Sequence, residues 1–345
     1  MEGRRHARGA ACDFWGRGMM EGKEALLERL KKAEGGWISG EGLSVEMSMT
    51  RSAVWKHVCK LRAEGYEIES SPRKGYLLHR VPDRLFPREV RSGLGTTIFG
   101  KGEIVHLPET DSTNSRAKEL AGRGIPEGTI VLAEKQTLGR GRRGRSWFSP
   151  AGGGGLYLSL VLRPEVSPAE APKLTLVTAV AVCDALVPYL PSRPAVKWPN
   201  DILAGDRKIA GILTEISTEP DAIDFIVVGL GLNVNIPARQ FPKEIRGSAT
   251  SILVETGTKH SRAVLLRSFL EHFERVYALF LEGRFPLILD RWKASAGATG
   301  RHVRVDRIGR ALSGEIQDVD EDGFLLLRDK AGYLHRIVSG DVTYL

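Results

Sequence analysis

The segment Gly139–Trp147 has the most unusual composition in the chain, because four of its nine residues are arginine and three are glycine. Glycine keeps a backbone mobile and lets its N–H groups approach an anion, whereas arginine offers bidentate charge to a phosphate. This composition favours neither a stable helix nor a stable strand, so we expect a flexible phosphate-binding loop. RNA-binding arginine–glycine tails form long disordered repeats, which a single copy between two strand patterns does not match.

A second polar cluster, Lys197–Asp201, follows a short strand pattern and reads Lys-Trp-Pro-Asn-Asp. Pro199 fixes the chain just after the strand and directs Asn200 and Asp201 outward. Asp201 is a candidate Mg²⁺ ligand, and Lys208, seven residues later, is a candidate point charge for a phosphate. Taken alone, an Asn-Asp turn is more often structural than catalytic.

Two further clusters contain residue types that suit a ligand. Gly229–Asn235 places Gly229 and Gly231 at alternate strand positions, which predicts a ligand or a backbone pressed against that face. The spacing is not GxGxxG before a helix, so a Rossmann dinucleotide site is not indicated. Asp111–Asn114 opens a helix pattern, and its hydroxyls serve either as helix caps or as contacts to a small polar ligand.

The elements that must position these clusters lie between residues 81 and 298. Strand patterns occur at Glu103–Leu107, Thr129–Glu134, Gly155–Leu162, Ala195–Trp198, Ile209–Ile216 and Phe225–Val234. Helix patterns occur at Asn114–Ala121, Pro168–Leu190 and Ser261–Leu281. The two longer helices can cover one face of a sheet, which predicts an α+β layer. Residues 299–345 instead show short strands typical of a small β-barrel, at His302–Val305, Ala311–Asp318, Gly323–Arg328 and Leu334–Ser339.

Residues 21–80 show three helix patterns followed by two short strand patterns, which predict a winged helix-turn-helix. Residues 50–80 contain seven Lys or Arg and only three Asp or Glu, a composition that favours contact with phosphates. A helical protein–protein module is the alternative, but the basic hairpin favours DNA. The candidate DNA contacts on the third helix and the hairpin tip are Thr50, Arg51, Ser52, Trp55, Lys56, His57, Lys60, Arg73 and Lys74.

Length and composition exclude several other classes. A chain of 345 residues suggests two or three domains, and 42% hydrophobic residues exclude wholesale disorder. Residues 1–20 lack periodicity, and we expect a disordered extension or a mis-assigned start. No secretory signal or membrane span is indicated, so we expect no membrane partner. Three distant cysteines, Cys12, Cys59 and Cys183, fit reduced thiols in the cytoplasm.

As a set, the arginine-rich segment, Lys197–Asp201, Gly229–Asn235 and Asp111–Asn114 resemble the motifs of the biotin–protein ligase family, over about residues 21–345. The winged helix makes the sequence most similar to the bifunctional branch of that family, which also represses the biotin operon. The resemblance implies a catalytic domain of the class II synthetase-like α+β fold at 81–298 and an SH3-like β-barrel at 299–345.

The resemblance also implies a two-step reaction with ATP and Mg²⁺. Biotin is activated as biotinyl-5′-AMP and is then transferred to a lysine of a biotin carboxyl-carrier protein. The adenylate is also expected to act as corepressor on operator DNA, through a homodimer. A ligase with a vestigial DNA-binding domain, a lipoate-ligase-like relative and a pure transcription factor are the alternatives.

By the same resemblance, each candidate residue takes a role. Catalysis is assigned to Lys208, Arg140, Arg142 and Asp201, with Asp201 also holding the metal. Biotin contacts are assigned to Ser112, Thr113, Asn114, Gln136, Arg140, Gly141, Arg142, Lys208, Gly211, Gly229 and Gly231. Nucleotide contacts are assigned to Arg142, Arg145, Trp147, Asn200 and Asn233.

Overall fold

A computed structural model describes residues 22–218, 222–307 and 310–345. The predicted extension at 1–20 lies outside the described residues. The chain divides into two compact units, one up to Asp83 and the other from Arg84 to Leu345. Within the described ranges, no helix is long and apolar enough to cross a membrane.

The first unit is a winged helix-turn-helix, as predicted. Its helices are α1 (22–32), α2 (Gly40–Glu46) and α3 (Arg51–Ala63), and its wing is the antiparallel hairpin of β1 (Glu67–Ser71) and β2 (Gly75–Arg80). Thr50 begins α3 as an N-cap, because its side chain accepts a hydrogen bond from the Ala53 N–H at 3.2 Å. The three helices bury a shared core that includes Leu26, Leu43 and Val58.

A seven-stranded mixed sheet forms the centre of the second unit. Its strand order is β3-β4-β5-β9-β8-β7-β6, in which only the β3–β4 pair is parallel. The strands are β3 (Ile104–Leu107), β4 (Ile130–Ala133), β5 (Gly155–Leu162), β6 (Ala195–Lys197), β7 (Asp201–Ala204), β8 (Arg207–Thr218) and β9 (Ile223–Asn233). Strand β7 is a difference from the sequence prediction, which placed only an outward turn at this point.

Helices cover both faces of this sheet, and their bounds are α4 (Pro87–Arg91), α5 (Thr113–Gly122), α6 (Lys173–Leu186), α7 (Ile252–Thr256), α8 (Arg262–Leu281) and α9 (Phe285–Ala296). The main apolar core packs α6, α8 and α9 against one face, and α5 packs against the other. The predicted helix over 168–190 is wrong at both ends, since α6 begins after Pro172 and gives way to a 3₁₀ turn at Val187–Tyr189. Helices α4, α7 and α9 were not predicted from the sequence.

The C-terminal part is a five-stranded antiparallel sheet with the order β13-β12-β11-β10-β14. Its strands are β10 (His302–Arg307), β11 (Arg310–Val319), β12 (Leu325–Asp329), β13 (Leu334–Ile337) and β14 (Asp341–Tyr344), of which β14 was not predicted. This sheet belongs to the same compact unit as the central one. Trp198 helps to join them, because its indole N–H donates to the Gly323 carbonyl at 3.0 Å.

Candidate active site

One open cleft, with about 710 Å³ of empty space, lies on the face of the central sheet at β5, β8 and β9. The N-terminus of α5, the turn before β7 and the arginine loop (Gly139–Trp147) surround it. Every residue assigned to biotin or nucleotide from the sequence lines this cleft except Asn233. These residues come from five separate stretches of chain, so the fold brings together what the sequence only suggested.

The turn before α5 forms a hydrogen-bonded polar wall of the cleft. The Thr113 backbone N–H donates to Gln136 Oε1 at 2.8 Å, and Gln136 Nε2 donates in turn to Ser149 Oγ at 2.9 Å. Asn114 is buried, and its Oδ1 accepts from Ser159 Oγ at 2.6 Å. Such a network fixes the orientation of each polar group before any ligand arrives.

The glycines of β8 and β9 make room for side chains of the protein. A Cβ atom at Gly229 would lie 2.0 Å from Asn114 Oδ1, and one at Gly231 would lie 2.4 Å from Trp147 Cε2. At Gly211 a Cβ atom would lie 2.9 Å from Trp147 Cζ3. The Trp147 indole and the Asn114 amide lie against the glycines, which also line the cleft. A ligand on this face stays a prediction.

Lys208 is positioned by the β7–β8 hairpin and is ion-paired. Its Nζ lies 2.6 Å from Asp201 Oδ1, and it also lies over the Trp147 ring at 5.3 Å from the centroid. The turn from Lys197 through a cis Trp198–Pro199 bond brings Asp201 to the start of β7. An anion entering the cleft therefore competes with Asp201 for the lysine.

The arginine loop is a hydrogen-bonded turn that contains no α-helix and none of the strands of the sheet, as its composition predicted. Arg140 and Ser146 form an antiparallel bridge, and the Gly141 N–H donates to the Arg145 carbonyl at 2.7 Å. A 3₁₀ turn spans Arg142–Gly144 at the tip. Arg143 has φ +54°, a left-handed conformation that non-glycine residues rarely adopt.

Each arginine of the loop contacts an acceptor on another part of the unit. Arg140 Nη1 lies 3.2 Å from Glu215 Oε1 on β8, and Arg142 Nη1 donates to Asn200 Oδ1 at 3.3 Å. On the C-terminal sheet, the Asp306 carbonyl accepts from Arg143 Nη1 at 2.6 Å and Asp341 Oδ2 lies 2.9 Å from Arg145 Nη2. The loop is thus held between the two sheets. Burial lowers the pKa of the Arg142 guanidinium, although Asp341 and Asp201 act to raise it.

Glu215 and Asp341 were missed by the sequence analysis, although both contact the arginine loop. Glu215 lies within β8 and Asp341 begins β14, and neither belongs to one of the polar or glycine-rich clusters that the sequence singled out. Only the fold brings these carboxylates to the loop.

A second recess, with about 490 Å³ of empty space, lies next to the cleft and shares Ser146, Trp147 and Lys208 with it. Asn233 lines this recess rather than the cleft, and its Nδ2 donates to the Thr250 carbonyl at 2.9 Å. Phe148 and Phe241 add aromatic walls. One apolar recess and one polar cleft, with the Trp147 indole at both, suit a ligand with two unlike halves.

Three domain families and several curated proteins match this sequence. The Biotin/lipoate A/B protein ligase family matches residues 107–233, an HTH domain matches 23–77, and the biotin protein ligase C-terminal domain matches 299–343. The bifunctional ligase/repressor BirA of Bacillus spizizenii is 38% identical over 320 residues, which cover 93% of this chain and 98% of that protein. BirA of Escherichia coli is 32% identical over 311 residues, covering 90% of this chain and 94% of that protein.

The chain belongs to the biotin protein ligase family.

A solved structure agrees with this membership. The biotin protein ligase of Aquifex aeolicus, in complex with biotin and ATP, has a TM-score of 0.61 and 30% identity, and the match covers 70% of this chain and 98% of that one. The present protein is therefore a biotin–protein ligase that also carries a helix-turn-helix domain of the repressor type.

In the helix-turn-helix unit of the ligase, all but one of the candidate DNA contacts are exposed. Trp55 is 55% exposed, and the Arg51 side chain is 70% exposed beside Glu41. His57 is the exception, with only 5% exposure, and burial followed by the charges of Lys60 and Lys23 lowers its pKa. We therefore remove His57 from the candidate DNA surface, because it belongs to the buried face of α3. The exposed candidates are Thr50, Arg51, Ser52, Trp55, Lys56, Lys60, Arg73 and Lys74.

The acidic residues of the cleft fit a metal ion that arrives with a substrate. In residues 22–218, 222–307 and 310–345, no group of three or more His, Cys, Asp or Glu is arranged to hold a metal. Mg²⁺ commonly binds one or two carboxylates and completes its octahedron with water and substrate phosphates. Asp201 provides one such carboxylate at the cleft.

Proposed function

We propose that this ligase forms biotinyl-5′-AMP in the cleft and transfers the biotinyl group to a lysine of a carboxyl-carrier protein. A biotin carboxylate oxygen attacks the α-phosphorus of ATP, and the bond to pyrophosphate breaks. The lysine amine then attacks the acyl carbon, loses a proton, and AMP leaves. The observation that carries the proposal is the position of Lys208, Arg140 and Arg142 around one cleft whose other wall is the Ser112–Asn114 turn.

The polar wall is the biotin-binding half in this proposal. Both Asn114 Nδ2 hydrogens have acceptors in the protein, on the Leu213 carbonyl at 3.2 Å and on Glu215 Oε2 at 2.9 Å. The amide therefore presents its oxygen as an acceptor, which suits the ureido N–H of biotin. Ser112, Thr113 and Gln136 complete this half, and Gly211, Gly229 and Gly231 form its floor.

Lys208 and the arginine loop carry the electrostatic work. Two anions, a carboxylate and the α-phosphate, must approach each other, so cations between them lower the barrier. Lys208 leaves Asp201 to contact these anions. Arg140, Arg142 and Arg145 bind the adenylate phosphate, and Gly141, which has no side chain, lets the loop approach it closely. No protein nucleophile is required, since positioning and charge stabilisation suffice.

The nucleotide occupies the side of the cleft that opens into the second recess. The Trp147 ring stacks on the adenine, and Asn200 and Asn233 contact the nucleotide by hydrogen bonds. Asp201 would hold the Mg²⁺ that accompanies ATP when Lys208 contacts the ligand, and the ion would neutralise phosphate charge there.

The helix-turn-helix unit is proposed to bind operator DNA as part of a homodimer when biotinyl-AMP is bound. The support is the exposed basic surface on α3 and the wing, whose small charge excess predicts weak binding by one copy at physiological salt. Two copies reach half-sites one or more helical turns apart. A cytoplasmic location is part of the proposal, and its support is that Cys59 and Cys183 are free thiols.

Biotin-dependent ATP–pyrophosphate exchange tests the catalytic proposal. We expect exchange with biotin and little with lipoate in the same preparation. Exchange with lipoate alone, or with neither acid, would overturn the assignment. For regulation, operator DNA is titrated with and without biotin plus ATP. The expected tightening is roughly 5- to 150-fold, the usual range of allosteric coupling; equal affinity would refute the role of the adenylate as corepressor.

A further inference from the structure

Glu215 is a largely buried carboxylate on β8 that receives donors from two other elements. Its Oε2 accepts from Asn114 Nδ2 at 2.9 Å, and its Oε1 lies 3.2 Å from both Lys118 Nζ and Arg140 Nη1. Asn114 and Lys118 lie one turn apart on α5, whereas Arg140 belongs to the arginine loop. A single side chain thus connects the biotin-binding half of the cleft to the loop that binds the adenylate.

We propose that Glu215 is a positioning residue that holds Arg140 and Asn114 in their ligand-binding orientations, and thereby couples occupation of the biotin half to retention of the adenylate. The proposal rests on the proposed function of the cleft. It assigns to Glu215 no contact with the reacting atoms, so its effects must appear through Arg140 and Asn114.

The geometry explains why a carboxylate is suited to this position. A guanidinium has five N–H donors in a planar fork, so contact through Nη1 leaves the other side of the fork for a ligand anion. Lys118 shares the same Glu215 oxygen from the outer side, where its side chain is 40% exposed. The cluster of two cations and one carboxylate keeps a net positive charge. It therefore still attracts the adenylate phosphate while the arginine is held in place.

The Asn114 amide depends on the same group. Glu215 and the Leu213 carbonyl take the two Nδ2 hydrogens, while Ser159 donates to Oδ1. With a neutral amide at position 215, one acceptor is weakened and new N–H donors face Lys118 and Arg140. We expect the Asn114 amide to sample the flipped orientation, in which it no longer offers an acceptor to a ureido N–H.

Glu215→Gln tests the proposal without changing side-chain volume. Loss of a charge-assisted contact predicts roughly tenfold faster dissociation of biotinyl-AMP and a raised KM for biotin, with a smaller change in kcat. The matched control is Glu119→Gln on α5, which removes the exposed pairs to Arg116 and Arg123 and should leave both parameters unchanged. An unchanged dissociation rate in Glu215→Gln would overturn the proposal.

A double-mutant cycle with Arg140→Met separates positioning from a general loss of stability. If Glu215 acts through Arg140, the Gln variant should accelerate adenylate release much less in the Arg140→Met background than in the wild type. Equal acceleration in both backgrounds would identify a merely structural role and overturn the proposal. If Glu215→Gln fails to fold, Glu215→Asp is used in the same cycle, since it keeps the charge but shortens its reach.

Wild-type exchange is measured first in these preparations. Absence of biotin-dependent exchange in the wild type would refute the proposed function itself. Normal wild-type exchange, together with additive effects of Glu215→Gln and Arg140→Met on adenylate release, would refute only the role of Glu215.

Discussion

The cations of the helix-turn-helix unit and those of the arginine loop differ in how many contacts orient them. On α3 and the wing, Lys56, Arg73 and Lys74 project from an exposed surface. In the loop, by contrast, Arg140 and Arg142 are directed by Glu215 and Asn200. A long polyanion such as DNA can be met by mobile surface charges, since many weak contacts add. One small anion in a cleft requires cations already in position, because reorientation during the reaction raises the barrier.

Arg262 is more tightly enclosed than the cations of either region, because its side chain is fully buried. Its Nη2 lies 2.8 Å from Glu134 Oε2, and its Nη1 donates to the Gly155 carbonyl at 2.9 Å. Burial alone would raise the pKa of the Glu134 carboxyl, but a hydrogen bond with His106 and the charge of Arg262 lower it to about 2. Here a cation serves the fold rather than a ligand.

Glu134→Gln should give the largest effect on stability, because it removes the carboxylate charge that pairs with the buried Arg262 at 2.8 Å. We expect a loss of about 3 kcal/mol in the free energy of unfolding at neutral pH. Since the folded pKa is depressed, the carboxylate stabilises the protein above the unfolded value of about 4.5, and this contribution is lost as the pH falls through about 2. Urea unfolding of the wild type and the variant from pH 7 to about pH 2 measures the difference in unfolding free energy and its pH dependence. A difference between wild type and variant that does not shrink on acidification would contradict the account.

Lys208→Ala should give the largest effect on chemistry. Removal of one preorganised donor to developing charge typically costs about a hundredfold in rate, so adenylate formation should slow by about that factor. Lys293→Ala is a matched control, because it removes a lysine–aspartate pair of 2.7 Å away from the cleft. Biotin-dependent pyrophosphate exchange measures the rates. Near wild-type exchange in Lys208→Ala would remove the lysine from the mechanism.

Arg142→Gly should have an intermediate effect on the adenylate. A charge-assisted contact to phosphate is worth about 1.5–3 kcal/mol, so biotinyl-AMP should dissociate roughly tenfold faster or more. The contact of Arg142 with Asn200 is lost in the same variant, which leaves the loop less ordered. Protease protection of residues 139–146 should then rise less with biotin and ATP than in the wild type. Identical protection in both proteins would argue against closure of the loop over the ligand.

The wing should give the smallest effect per residue. The double variant Arg73→Ala, Lys74→Ala should weaken DNA binding about equally for all sequences. The salt slope is the slope of the logarithm of the DNA-binding constant against the logarithm of salt concentration. Because each phosphate contact contributes about 0.9 to this slope, it should fall in magnitude by about 2. Lys32→Ala on α1 provides an exposed basic control outside the predicted DNA surface. A slope that falls equally in the control would show that only net charge matters.

Prediction from the sequence succeeded where residue type and spacing alone indicate the chemistry. The arginine loop, the Lys197–Asp201 turn and the alternate glycines were all recognised, and the fold assembles them around one cleft. It failed where the function of a residue depends on its neighbours in space. Glu215 and Asp341 are ordinary strand residues until the fold places an arginine beside each.

Some errors could have been avoided with the pattern already in the sequence. Val54, His57, Val58 and Leu61 are spaced as one face of a helix and are all buried, so His57 could have been assigned to the core. Helix α9 likewise shows Phe285, Ile288, Leu289 and Trp292 at helical spacing. The loop conformation could not have been predicted, because contacts from the C-terminal sheet stabilise it.

The most direct test measures two properties on two variants. Arg142→Gly and the Arg73→Ala, Lys74→Ala double variant are each assayed for the rate of biotinyl-AMP dissociation and for the salt slope of DNA binding without biotin or ATP. We predict that Arg142→Gly releases the adenylate roughly tenfold faster with an unchanged salt slope. We predict that the wing variant lowers the slope by about 2 and leaves adenylate release unchanged. Adenylate release that accelerates equally in both variants, or in neither, would contradict the division between anchored and exposed cations.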